Sequence, residues 1–207
     1  MTTHSLSTIV DTLNATTWDE PHRSRGRQAS ALALTIYAGH TRDQGTPYLE
    51  HPLAVVTVLR DELAVTDPDT LILGLLHDAL EVSPDSGPLL AAQMGEAFAE
   101  RLRAMTPAHR LEMRVKQPGD EGAWRSKTAG LEPAGLLVRF ADRIHNLRDL
   151  QQSPYPGRRQ KFVSTLADFY LPLAKAARPF NTHLESACTL LHTEYERLQR
   201  GGQEARI

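Results

Sequence analysis

Apolar residues recur along this chain at helical spacing, and nowhere do they alternate for long enough to form a sheet. Near the N-terminus, Leu6, Ile9, Val10 and Leu13 fall on one face of a short helix. Ala31, Leu32, Leu34, Ile36 and Tyr37 repeat the pattern in a helix over 29–38 that Gly39 closes. The stretch from His40 to Pro52, HTRDQGTPYLEHP, is punctuated by Gly45 and Pro47 and reads as a loop. Proline is tolerated in a first helical turn, so His51, just ahead of Pro52, opens a helix to about Leu63. Leu53, Val55, Val56 and Leu59 form its inward face. Asp67 as N-cap and Pro68 in the first turn start a central helix that runs through LILGLLHDALE to Glu81. Pro84, Asp85 and Gly87 end it, and shorter helices follow over 89–94, up to Gly95, and around Phe98, Leu102 and Met105.

Residues 107–133 change character. Prolines and glycines punctuate them, and Arg110, Arg114, Lys116, Arg125 and Lys127 make them locally basic. They read as a mobile excursion with one or two helical turns, either a solvated loop or a lid facing phosphate. Order returns at Ala134. There AGLLVRFADRIHNLRDL sets Leu136, Leu137, Phe140, Ile144 and Leu147 on an inward stripe, with Asp142, Asn146 and Asp149 on a second face. After a break at Pro154–Gly157 come a long helix from Phe162 to Ala177, a last helix from Thr182 to about Leu198, and a frayed tail over 200–207. The expectation is an all-α fold in one compact domain, with its core over about 25–198.

Composition narrows the function classes. Among 207 residues, 23 Lys and Arg stand against 25 Asp and Glu, for a net charge of -2. Such a balance gives no global attraction to nucleic acid or an anionic membrane, so local charge must meet any anionic ligand. The basic patch His22, Arg23, Arg25 and Arg27 reads as solvated surface, with a ligand role as the alternative. The single cysteine, Cys188, excludes an intramolecular disulfide and a Cys-rich zinc site, and reads as a small buried apolar residue. No basic-then-apolar leader and no apolar run of transmembrane length is present. A cytoplasmic protein without nucleic-acid or membrane partners is expected, its oligomeric state open.

The chemistry gathers in LILGLLHDALE. His77 and Asp78 end a run of apolar residues, and burying an imidazole beside a carboxylate is costly unless something uses them. Neutral imidazole with carboxylate suits a divalent transition metal such as Mn, Fe, Co or Zn. Glu81, four residues past His77 and three past Asp78, shares their face and places a carboxylate beside that metal. His51 at a helix start and Asp142 amid Phe140, Ala141 and Ile144 complete four candidate ligands.

A His at a helix start, an adjacent His-Asp pair and an Asp on a later helix resemble the HD-domain metal-dependent phosphohydrolases. More narrowly, TRDQGTPYLEHPLAVVTVL, LILGLLHDALE and LVRFADRIHNLRDL are similar to the hydrolase domain of the RelA/SpoT family, across roughly residues 28–175. The length resembles a small stand-alone alarmone hydrolase. The resemblance implies one Mn²⁺ held by His51, His77, Asp78 and Asp142, and removal of the 3′-diphosphate from ppGpp-like purine nucleotides. It implies Arg42 against the purine base, Asn146 and Asp149 lining the nucleotide pocket, and Tyr170 beside the ribose and phosphates. It makes Glu81 and Asn146 catalytic positions, Glu81 handling the attacking water. Replacing Asp142 by alanine is expected to abolish metal retention without unfolding the helices.

Two positions depart from the family pattern. Val82 stands where HDxxED carries a second carboxylate, and Asp43 follows Arg42 where a basic residue is common. These departures point to a variant substrate, for instance an adenosine (ppApp-like) nucleotide. Two rival readings stay open: another HD nucleotide phosphohydrolase, and a metal-holding but weakened nucleotide-binding regulatory module that rests on Val82.

Overall fold

The computed structural model describes residues 4–150 and 156–204, and the fold is all-α. The helices are α1 (Leu6–Leu13), α2 (Glu20–Ile36), α3 (Glu50–Thr57), α4 (Pro68–Leu76), α5 (Ala79–Val82), α6 (Gly87–Met94) and α7 (Glu96–Ala104). They continue as α8 (Ala108–Leu111), α9 (Asp120–Ala129), α10 (Pro133–Leu150), α11 (Pro156–Thr165), α12 (Leu171–Ala177) and α13 (Thr182–Glu204). Among the described residues the only β pairing is an isolated antiparallel bridge between Thr41 and Pro47.

The core is built around α4 and α10. Leu71, Ile72, Leu73, Leu75 and Leu76 of α4 are all buried, so the helix is apolar on every side. It packs against α2, α3 and α10. Gly74 permits the close approach to the turn after α3: a Cβ there would lie 2.5 Å from Leu59 Cδ1. Asp67 caps α4 as expected, its Oδ2 accepting from the Thr70 N–H at 2.9 Å. Helix α10 packs in turn on α3, α4, α12 and α13.

Several elements differ from the sequence expectation. The helix beginning at Glu20 starts well ahead of residue 29, with Pro21 in its first turn. The central helix does not run unbroken to Glu81. It stops at Leu76, because the His77 ring bonds back to the Gly74 carbonyl and Asp78 leaves helical geometry at φ -101, ψ 3. A short α5 restarts on the Asp78 carbonyl, which accepts from the N–H groups of Glu81 and Val82. A π-turn over Leu166–Tyr170 interrupts the expected helix from Phe162 to Ala177; Pro172 follows it and has no N–H to continue a regular ladder. Residues 107–133 carry more helix than one or two turns, since α9 alone spans Asp120–Ala129. In the structure α13 extends through Glu204, and 205–207 lie outside the described residues. Pro154 and Tyr155 of the expected break at Pro154–Gly157 also lie outside them, and α11 begins at Pro156.

Candidate metal and nucleotide site

His51, the second residue of α3, is buried beneath the loop that precedes it. That loop is folded by the Arg42 N–H to Thr46 carbonyl bond and by Gly45, whose φ of +81 suits glycine. It holds Arg42, Asp43 and Gln44 over the site. His77 and Asp78 come from the break after α4, and Asp142 from the buried face of α10.

The four side chains converge. His51 Nε2 lies 3.2 Å from Asp142 Oδ1 and 3.4 Å from Asp78 Oδ2. His77 Nε2 lies 3.3 Å from Asp78 Oδ1 and 4.0 Å from Asp142 Oδ1. A carbonyl can only accept, so the 2.7 Å contact of His77 Nδ1 with Gly74 O puts a proton on Nδ1. Its Nε2 is buried and has no hydrogen-bond partner. An imidazole lone pair turned on carboxylate oxygens is repulsive unless a cation lies between them. Two neutral imidazoles and two carboxylates are a donor set for a divalent transition metal, and His51, His77 and Asp78 form a group able to hold one.

Surrounding groups fix these donors. Tyr48 donates its hydroxyl to Asp78 Oδ2 at 2.9 Å. Asp142 Oδ2 accepts from Arg139 Nη1 at 3.1 Å and from Arg143 Nε and Nη2 at 3.0 and 2.6 Å, while Oδ1 faces the histidines and accepts from Asn146 Nδ2 at 2.5 Å. Burial alone would raise both carboxyls, yet Asp78 is held far below the usual range by His77 and His51, and Asp142 by Arg143, His51 and Arg139. Burial likewise opposes a charge on His51, and its bonds to Asp142 and Asp78 outweigh it and raise its pKa. Glu81 goes the other way: burial and the nearby Asp78 charge raise its carboxyl.

A cavity of about 270 Å³ opens onto this cluster, lined by Arg42, Asp43, Glu81, Arg143, Asn146 and Asp149 among others. Arg42 Nη2 donates to Asn146 Oδ1 at 2.9 Å and to Asp149 Oδ2 at 2.8 Å, so its guanidinium edge is already engaged while its side chain lines the wall. Tyr170 does not line this cavity. It lines an adjoining basin of about 350 Å³ that shares Glu81, Arg143 and Phe162 with the first and adds Arg110, Lys116 and Lys161. Arg143 lies 5.1 Å from the Tyr170 ring centre and 5.3 Å from that of Phe162, a cation held between two rings. Val82 is packed against the core and is not among the lining residues of either space. The patch at His22–Arg27 is partly engaged locally, His22 with Asp19, Arg23 with Glu20 and Arg25 with Asp69.

Sequence reading missed Arg139, Arg143 and His145. Arg139 is almost fully buried, where arginine is rarely found unpaired. His145 Nδ1 meets His51 Nδ1 at 2.8 Å, and burial with His51 beside it pushes the His145 pKa down to about 4. A signal for His145 was present: it follows Asp142 by three residues and shares its helix face.

The chain resembles known proteins over most of its length. The HD-domain profile matches residues 29–178. The bifunctional (p)ppGpp synthase/hydrolase SpoT of Escherichia coli K12 is 31% identical over 157 residues, 75% of this chain and 22% of that protein. The GTP pyrophosphokinase of Streptomyces coelicolor is 30% identical over 147 residues, 71% of this chain and 17% of that protein. The chain thus spans about a fifth of the length of these relatives. A solved structure described as a metazoan orthologue of SpoT that hydrolyses ppGpp superposes with a TM-score of 0.63 at 22% identity, covering 89% of this chain and 97% of that one. At that identity the superposition establishes the shared fold.

Proposed function

This chain belongs to the HD-domain family, and we propose that within it the protein is a metal-dependent pyrophosphohydrolase that removes the 3′-diphosphate from ppGpp-like purine nucleotides. The observation that carries this reading is the buried convergence of His51 Nε2, His77 Nε2, Asp78 and Asp142 Oδ1 beneath a cavity whose wall includes Arg42, Arg139 and Arg143. Relatives named for (p)ppGpp hydrolysis support the substrate class. His51, His77, Asp78 and Asp142 would hold the ion, with Mn²⁺ the proposed metal. Such an ion supplies Lewis-acid polarisation of a phosphoryl oxygen and lowers the pKa of water.

The chain's own groups do the rest. Glu81 carries a carboxyl with a raised pKa, beside the cluster and on the wall of both spaces, and serves as the base that takes the water proton. Arg42, held by Asn146 and Asp149, offers a planar guanidinium for the purine. Arg143 spans the cavity and the adjoining basin and, with Arg110 and Lys161, offers positive charge to the phosphates. Tyr170 serves the basin side of the substrate. Asp43 lines the wall, and an adenosine nucleotide stays in the comparison. The proposed location is the cytoplasm; among the described residues no helix is long and apolar enough to cross a membrane.

The test is product analysis with ppGpp, its pentaphosphate form and the adenosine counterparts, each with Mn²⁺ and with a chelator. Metal-dependent release of pyrophosphate is expected. Nucleotide and metal binding without turnover of any of the four would overturn the enzymatic reading in favour of a regulatory module.

A further inference from the structure

The two histidines of the cluster are oriented by different means. His77 is fixed by the backbone, through Nδ1 to the Gly74 carbonyl. His51 has a side chain in that place: its Nδ1 lies 2.8 Å from Nδ1 of His145, with ring centres 4.9 Å apart and planes tilted by 46°. At this distance the two nitrogens share one proton, so one ring donates and the other accepts. His51 Nε2 faces Asp142 Oδ1 and Asp78 Oδ2. For Nε2 to present a lone pair to a cation there, the ring proton must sit on Nδ1. Without a cation there, a neutral ring can carry its proton on Nε2 toward the carboxylates, and Nδ1 then accepts. With a cation at Nε2, His51 is the donor and His145 the acceptor.

We propose that His145 is a positioning residue, a neutral imidazole with its proton on Nε2 whose Nδ1 lone pair holds His51 in the tautomer and orientation that aim Nε2 at the cluster. Helix α10 makes this compact: Asp142, His145 and Asn146 stand at i, i+3 and i+4, so one helix face supplies a candidate ligand, the orienting ring and a cavity wall. The proposal, the direction of the proton included, rests on the metal reading above.

The test uses the full chain in three forms: wild type, His145→Leu and His145→Asn. Asparagine Oδ1 stands at about the position of histidine Nδ1 and can accept the same bond. Mn²⁺ titration calorimetry is expected to show binding weakened about 10- to 100-fold in His145→Leu, as for other groups that orient metal-ligating imidazoles, with much of the loss restored in His145→Asn. Nitrogen-15 spectra of the wild type loaded with diamagnetic Zn²⁺ are expected to show His145 unprotonated at Nδ1 and His51 protonated there. Wild-type affinity in His145→Leu, or a His145 proton on Nδ1 in the loaded protein, would overturn the proposal. Should wild-type protein take up neither ion, the metal reading fails and the proposal with it, an outcome distinct from uptake that His145→Leu leaves unchanged.

Discussion

Replacing Asp142 by alanine tests the electrostatics of the core as well as the candidate metal site. From sequence alone the substitution removes a ligand and leaves the helices standing. In the structure Asp142 is also the counter-ion of two arginines, bonded to Arg139 at 3.1 Å and to Arg143 at 3.0 and 2.6 Å. The Arg139 and Asp142 side chains are each 2% exposed, so little water can replace the lost carboxylate. Removing one partner of a buried pair costs about 3–5 kcal/mol. Against a domain stability of about 5–15 kcal/mol, that is a large fraction. For a chain of this size it corresponds to a fall in Tm of roughly 6–20 °C. The assay is thermal unfolding followed by circular dichroism, with chelator throughout so that metal binding contributes nothing. The double variant Arg139→Leu with Asp142→Ala should recover part of the loss, with a coupling of about 0.5–3 kcal/mol in the four-way cycle. A single variant that melts at the wild-type temperature in chelator would refute the counter-ion role. It would also return Asp142 to the status of a simple ligand.

Glu81→Gln should lower kcat by about 10²–10⁴-fold while Mn²⁺ affinity holds, as for loss of a general base; a parallel loss of metal would make Glu81 a ligand instead. Val82→Asp should not raise turnover, because Val82 packs on the core, and should cost about 1–3 kcal/mol for a partly buried carboxyl; a gain in kcat would show that position 82 reaches substrate. Mn²⁺ at 100 times its Kd should stabilise the protein by about 2.7 kcal/mol over the chelated form, measured by urea unfolding, and an equal shift in Asp78→Asn would refute the site. The Arg114 bonds and the Gln117 N–H hold Asp120 below the usual carboxyl pKa. That group therefore stabilises the fold above its unfolded pKa of about 3.9 and loses this contribution as pH falls through the folded value. Arg114→Gln should raise the Asp120 pKa toward the unfolded one in an NMR titration, and an unmoved carboxyl would contradict the pairing.

Local patterning determined most of the helices and the candidate cluster. Asp67, Pro68 and the apolar run after them specify α4 without reference to anything distant, because capping and burial of a helix act within a few residues. His77, Asp78 and Asp142 stood out because such groups sit in apolar company, an arrangement that is costly without a use, and His51 because it opens a helix. Even the i, i+3, i+4 set on α10 is written in consecutive residues.

Tertiary structure decided what those residues meet. Arginine in a sequence reads as surface, and only the packing of α10 makes Arg139 a buried partner of Asp142 and clamps Arg143 between Phe162 and Tyr170. Tyr170 fell in the adjoining basin and Val82 against the core, because which face of a helix meets a cavity depends on its neighbours. The break at His77–Asp78 depends on a ring bonding back to Gly74, a competition with the helix ladder that spacing does not reveal. The meeting of His51 with His145 joins residues 94 apart. Sequence fixes the periodicity of each segment; the distance between segments follows from how their buried faces pack.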